Sequence, residues 1–243
     1  MKSSNILLHA LLLLLVLCSF TTCDAQSRVH HLEMVQTWPN TFCQSTRCAT
    51  PIPDNFTIHG LWPAAIDGHS LKNCNTTYNQ SSTYYQGIRG DMDKYWPYLK
   101  GKTPKQNENY WWYQWTKHGC CQKEFQPHDY YMKAIKLKND ISPLKILGDS
   151  NILPGSSKPY TKNAIFKAFA KVIGIGNKIW LTCHKKNGHF MLKEVYVCFD
   201  PKGNSPVSCT WTAKARTCGN GTILFPSPEV GSCDLFRFLL SIS

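Results

Sequence analysis

Two short segments of the 243-residue chain carry side chains able to move protons beside a fixed cation. The first is Phe56-Thr57-Ile58-His59-Gly60-Leu61-Trp62-Pro63. Side chains alternate along a strand, so Phe56 and Ile58 take one face and Thr57 and His59 the other. Gly60 admits close approach by another chain or a phosphate. Trp62 and Pro63 give a rigid wall. The second is Tyr110-Trp111-Trp112-Tyr113-Gln114-Trp115-Thr116-Lys117-His118-Gly119-Cys120-Cys121. On a helix, Trp111, Gln114, Lys117 and His118 share a face, because positions three and four apart stack. That face would offer a stacking ring, an amide, a cation and an imidazole. Gly119 stops the helix after the imidazole, and a cysteine pins it.

Each segment alone has an ordinary explanation. A histidine at a strand end is more often structural, and an aromatic helix can carry Lys and His at its solvated end. Together they supply what metal-free RNA cleavage needs. Histidine, with an unperturbed pKa of about 6.5, suits both proton roles. One ring takes the 2′-OH proton, and the other protonates the leaving 5′-oxygen. Lys117 stabilises the charge building on the phosphorane-like transition state. A 2′,3′-cyclic phosphate would form first and hydrolyse with the roles reversed. The 2′-OH is the nucleophile, so DNA should be inert, and no cofactor is required.

Several elements must position these groups. Strands are expected at residues 31–38 and 56–59, the first alternating Leu32, Met34 and Gln36 against Glu33, Val35 and Thr37. Residues 64–90, rich in Asn, Ser, Thr, Tyr and Gly, read as exposed loops. Residues 110–118 suit a helix. Residues 161–173 form the clearest amphipathic helix, with Ile165, Phe166, Phe169, Val172 and Ile173 as its apolar stripe. Strands follow at 179–183 and 190–199. Strands and helices mixed without a βαβ rhythm indicate an α+β fold.

The chain opens with Met1-Lys2, an apolar run from Ile6 to Val16 and small residues ending at Ala25. This reads as a secretory signal over residues 1–25, too short to span a bilayer. Residues 26–243 are expected to form one soluble domain. Two of the twelve cysteines fall in or beside the leader, and the other ten form an even set read as disulfides. Cys43-x4-Cys48 lacks a nearby matching pair, so no metal site is expected. Asn55, Asn75, Asn79 and Asn220 open N-x-S/T glycosylation triplets. Net charge is +12 and 12% of residues are aromatic, which permits binding to a polyanion with stacking on bases.

At the two segments the chain resembles the ribonuclease T2 family, and within it the plant S-ribonucleases of gametophytic self-incompatibility. FTIHGLWP looks like the first active-site motif, and WWYQWTKHGCC resembles the second, whose usual form runs close to FWxHEWxKHGTC. The resemblance extends from Gln36-Thr37-Trp38-Pro39 through Asn220–Pro226. It implies an antiparallel sheet core with packed helices, stapled by disulfides. It implies His59 as general acid in the transfer step, His118 as base and Lys117 as the phosphate-stabilising cation. Tyr110 and Trp111 fall on an aromatic pair, Gln36 on a base-site glutamine, and Tyr98, with Leu99 beside it, on a base-contact position. Trp62 and Tyr113 complete the implied substrate-binding set. The implied bridges are Cys43–Cys48, Cys74–Cys121, Cys183–Cys218 and Cys198–Cys209, leaving Cys120 and Cys233.

The chain departs from the pattern at Gln114, where the family carries glutamate, and at Tyr113, where it carries histidine. Gln114 removes a charge but keeps a donor for a phosphoryl oxygen, which points to a reduced rate with the mechanism intact. The tail 227–243 matches nothing assignable. A sequence pI near 9.1 favours the self-incompatibility role, since the housekeeping relatives are typically acidic. The implied partners are RNA and pollen F-box proteins, the protein acting as a monomer in the style matrix. The competing readings are a stress or defence ribonuclease and a catalytically weak RNA- or glycan-binding defence protein.

Overall fold

A computed structural model of the chain describes residues 29–155, 158–210, 218–219 and 221–227. The leader 1–25, Asn220, Cys233 and nearly all of the tail lie outside the described residues. The architecture is α+β. Among the described residues seven strands form one sheet: β1 His31–Thr37, β2 Thr57–Ala64, β3 Tyr160–Thr161, β4 Trp180–Lys186, β5 His189–Phe199, β6 Pro206–Val207 and β7 Thr222–Leu224. The helices are α1 Pro39–Phe42, α2 Arg89–Tyr95, α3 Pro104–Lys117, α4 Pro127–Asp140, α5 Pro143–Gly148 and α6 Lys162–Ile173.

The strand path runs β2-β1-β5-β7-β3, with β4 and β6 also paired to the long β5. Five of the six pairings are antiparallel; the short β5–β7 contact is parallel. Every residue of β1 is buried, because helices cover one sheet face and the 65–73 loop covers part of the other. The larger core lies on the helix side. Leu32, Met34, Ile58, Val195 and Val197 meet Trp111, Trp115, Tyr130 and Tyr131 there. On the other face Val35, Trp62 and Tyr196 form a small cluster.

Several elements differ from the pattern reading. The second strand runs on through Ala64, and the aromatic helix begins six residues earlier, at Pro104, where Thr103 and Gln106 form a capping box. The 64–90 region is not wholly exposed: Ser82–Tyr85 forms a 3₁₀ turn that buries Tyr85 against Trp111 and Tyr131. In α6 the buried stripe is Ile165, Ala168, Phe169 and Ile173. Phe166 and Val172 stand 36% and 50% exposed, so the apolar face is narrower than its composition.

Candidate active site

His59 is placed by an irregularity in the β1–β2 ladder. Gln36 pairs with Ile58 and Val35 with Gly60, which leaves His59 as the extra residue of a β-bulge. A bulge releases backbone from the ladder and re-aims a side chain. The freed carbonyl of His59 accepts from the Tyr110 hydroxyl at 2.9 Å and from Trp96 Nε1 at 3.2 Å. Its ring, about one-third exposed, sets Nδ1 2.7 Å from Glu194 Oε1.

Glu194 also borders a bulge. Thr182 pairs with Glu194 and Cys183 with Leu192, so Lys193 is the extra residue, and its carbonyl accepts from the Trp38 amide at 2.7 Å. The ladder thus lines up Thr57, Thr37, Glu194 and Thr182 across four strands. The buried carboxylate accepts from Thr182 Oγ1 at 2.7 Å, Tyr196 Oη at 3.1 Å and Thr37 Oγ1 at 3.4 Å. Burial alone would raise its pKa. The hydrogen bond and charge of His59, helped by Thr182 and Lys193, outweigh burial and hold it down at about 2. Glu194 is therefore an anion through the neutral range. A carboxylate only accepts, so His59 carries a proton on Nδ1 and leaves Nε2 for a substrate.

His118 caps the C-terminus of α3. Its Nδ1 donates to the Leu71 carbonyl at 3.0 Å, so Nε2 holds the lone pair of the neutral ring. Burial pushes its pKa down to about 4; the Leu71 carbonyl opposes the shift, and the positive charges of His59, Lys117 and Lys72 add to it. The loop that supplies Leu71 is clamped throughout. Leu71 N donates to Pro63 O, Asn73 N to Lys117 O and Ser70 Oγ to Glu33 Oε2. The Cys74–Cys121 bridge then ties its end to the turn after His118.

Trp62 stands between the two rings. Its indole stacks on His118 with centroids 5.0 Å apart and meets His59 edge-on at 4.9 Å. Its Nε1 donates to the buried Gln114 Oε1 at 3.1 Å. Gln114 thus holds the wall between the histidines with its oxygen. What approaches Gly60 is this pair: a Cβ there would lie 2.2 Å from Trp62 Nε1 and 2.5 Å from Gln114 Oε1. Lys117 is half-buried at the last turn of α3, its backbone held by Asn73.

Beside His59 opens a cleft of about 190 Å³ lined by Thr37, Phe42, Tyr98, Leu99, Lys100 and Tyr110, among others. The Tyr98 and Tyr110 rings lie 5.0 Å apart and form its outer wall. Two residues expected in the binding set are elsewhere. Gln36 is wholly buried on the far side of β1 and donates to the Ile141 carbonyl, so the neighbouring Thr37 takes the cleft-facing place. Trp111 is also wholly buried, with Nε1 on the Trp96 carbonyl, and is a core residue of α3 rather than a stacking surface. Tyr113 is exposed and faces an outer pocket with Tyr98. The sequence reading missed Glu194 and Thr37. An acidic residue inside the apolar run Phe190–Phe199 was the available signal for Glu194.

Bridges join Cys43–Cys48, Cys74–Cys121, Cys183–Cys218 and Cys198–Cys209, and Cys120 is a buried thiol. Asn55, Asn75 and Asn79 are exposed. The one His/Cys/carboxylate cluster among the described residues joins His31, Glu33 and Cys198, whose sulfur is already bound to Cys209. Among the described residues no helix is long and apolar enough to cross a membrane.

Comparison with known proteins places the sequence and the fold in a family. The Ribonuclease T2 family model matches residues 29–209. Ribonuclease S-F11 of Nicotiana alata is 37% identical over 186 residues, covering 74% of this chain and 90% of that one. Extracellular ribonuclease LE of Solanum lycopersicum is 32% identical over 240 residues, covering 93% and 100%. The crystal structure of the Nicotiana alata self-incompatibility-associated SF11-RNase superposes with a TM-score of 0.72 at 33% identity, covering 82% of this chain and all of that one. RNase NT in complex with 5′-AMP superposes at 0.73 with 27% identity, covering 82% and 99%. The chain belongs to the ribonuclease T2 family and is a ribonuclease.

Proposed function

We propose that this ribonuclease cleaves single-stranded RNA without a metal, with His118 as base and His59 as acid. The observation that carries this reading is the unequal setting of the two rings around Trp62. His118 is neutral at pH 7, its proton fixed on Nδ1 and its Nε2 lone pair available. His59 donates from Nδ1 to an ionised carboxylate, which leaves Nε2 to face the substrate. His118 Nε2 takes the 2′-OH proton, the 2′-oxygen bonds to phosphorus, and the P–O5′ bond breaks as His59 Nε2–H protonates the leaving oxygen. Lys117 offsets the added charge on the phosphoryl oxygens. Water then opens the 2′,3′-cyclic phosphate with His59 as base and His118 as acid. The cleft of Thr37, Phe42, Tyr98, Leu99 and Tyr110 beside His59 receives the base of the leaving nucleotide.

The test is cleavage of RNA by the mature protein in EDTA. Product must appear through a 2′,3′-cyclic intermediate and vanish in the His59→Ala, His118→Ala double variant. A requirement for divalent metal overturns the mechanism. Activity equal to the double variant favours the silent RNA- or glycan-binding reading.

In biological role we propose a secreted pistil S-determinant rather than a stress or defence ribonuclease. Support comes from the match to ribonuclease S-F11 and the net charge of +12. The signal at residues 1–25 precedes a family match that begins at residue 29. Pollen F-box proteins are the proposed partners. Transcript confined to styles is the expected result; transcript induced in leaves by phosphate starvation or wounding decides for the stress reading.

A further inference from the structure

On the far side of the Tyr98–Tyr110 wall lies a second, open pocket of about 420 Å³, within the size range of ligand clefts. It is lined by Tyr98, Gln106, Asn109, Tyr110 and Tyr113. Tyr98 and Tyr110 are shared with the cleft beside His59, so the two cavities are neighbours on one surface track. Tyr113 is 53% exposed although large and aromatic, and it sits on the outer face of α3.

The pocket is firmly built. Gly101 lets the chain turn tightly at Tyr98: a Cβ there would lie 2.6 Å from the Tyr98 ring and 2.9 Å from Gln106 Cβ. The turn is closed by Gly101 N on Tyr98 O, and the Tyr98 amide donates to Asn107 Oδ1, both at 2.8 Å. Gln106 Oε1 is occupied by the amides of Lys102 and Thr103, and Asn109 Oδ1 by Gln80. Their amide nitrogens are the donors outside these contacts. The exposed Lys100 and Lys102 lie on the same turn as Tyr98. Three phenol rings, two amides and two flanking ammonium groups are the surface that single-stranded nucleic acid uses, with rings for bases and cations for phosphates.

We propose that this pocket binds one further nucleobase of the same RNA strand, the one 3′ to the leaving nucleotide. The direction rests on the reading of His59 as the acid at the 5′-oxygen. The strand leaving from His59 runs through the first cleft and reaches Tyr113 past the Tyr98–Tyr110 wall.

The experiment uses short substrates with a single cleavable bond. Each has one 5′ ribonucleotide followed by one deoxynucleotide, by two, or by one and an abasic unit. Stacking on an aromatic side chain is worth about 5- to 100-fold per base. The intact trimer should therefore exceed the abasic trimer in kcat/KM by about that factor at 0.15 M salt. In Tyr113→Ala the factor should fall toward one, and Tyr113→Phe should restore it. Each variant is judged by its own ratio, so a change in the chemical step cancels. An abasic trimer cleaved as fast as the intact one overturns the base subsite and leaves only a phosphate contact. A ratio that survives Tyr113→Ala overturns the pocket. Failure to cleave even the dimer overturns the acid–base reading itself, and the subsite with it.

Discussion

Replacing Glu194 by Gln separates charge from shape at the centre of the site. The carboxyl sits at about 2 against an ordinary 4.5, despite burial that works the other way. That gap of roughly 2.5 units corresponds to about 3 kcal/mol of net favourable interaction between the anion and its donors, His59 foremost. Glutamine keeps the volume. Its Oε1 can still accept from His59 Nδ1, and the hydroxyls of Thr182 and Tyr196 can turn to accept from its amide. The variant should therefore fold, with a Tm lower by up to about 10 degrees, because the lost anion carries that 3 kcal/mol. What it loses is the buried anion to which His59 Nδ1–H donates, and with it the fixed tautomer that leaves Nε2 for the substrate. The value of kcat for transfer should fall about tenfold or more, with KM changed less. The assay is dinucleotide cleavage from pH 4 to 9, with KM and kcat resolved. A folded Glu194→Gln protein with kcat within threefold of the parent would refute the reasoning. The carboxylate would then be packing, not electrostatics.

Other perturbations probe separate parts of the molecule. His118 must be neutral to act as base, and its pKa lies at about 4, so kcat/KM should hold as pH falls toward 5 and drop through about 4. A bound phosphate would offset the positive charges around the ring, so the acid limb of kcat should lie at higher pH; an acid limb of kcat/KM between 6 and 7 contradicts this. Gly60→Ala drives a methyl into Trp62 Nε1 and Gln114 Oε1; it should cost about 1–3 kcal/mol of stability and at least tenfold in kcat, measured side by side. Near-parental kcat would mean that the Trp62 wall does not position the rings. Lys138 is buried and burial lowers its pKa to about 8 from 10.5, so the folded chain binds fewer protons than the unfolded chain between those values and its stability rises with pH there. Lys138→Met should stabilise by up to about 3 kcal/mol at pH 7 in urea unfolding, with the advantage closing between pH 8 and 10.5; a pH-independent difference would show that charge is not its cause.

How much of this was readable from residue order depends on the range of each interaction. His59, Lys117 and His118 were legible because local spacing delivers them: a strand end, and the last turn of a helix. Trp62 was legible as a wall for the same reason. Gln36 and Trp111 were misplaced because their settings are decided by partners far along the chain. The Ile141 carbonyl, 105 residues away, takes the Gln36 amide, and α2 and α4 close over Trp111 through Trp96 and Tyr131. Strict alternation also fails where it matters most. The β1–β2 register shift changes which β1 residue lies beside His59, so Thr37 and not Gln36 reaches the cleft. Glu194 is 135 residues from His59, and only the sheet order β2-β1-β5 brings them within 2.7 Å. Gln114 looked like a missing charge within its helix. In the fold it is the acceptor for an indole N–H on another strand.

The two imidazoles start chemically identical, and long-range contacts make them different. His59 is bound by its bulged backbone to Tyr110 and Trp96 and by its ring to an anion. His118 is bound to a neutral carbonyl and surrounded by the charges of His59, Lys117 and Lys72. The reverse assignment would ask His118 to hold the donated proton in a buried place next to the Lys117 and Lys72 ammonium groups. That demand opposes the local electrostatics, so in the proposed mechanism the transfer step runs from His118 toward His59. Hydrolysis must reverse the roles, and it begins with the protons already exchanged. His118 then carries its proton against the field, which makes it the stronger acid for opening the cyclic phosphate. The same asymmetry that assigns the first step thus drives the second.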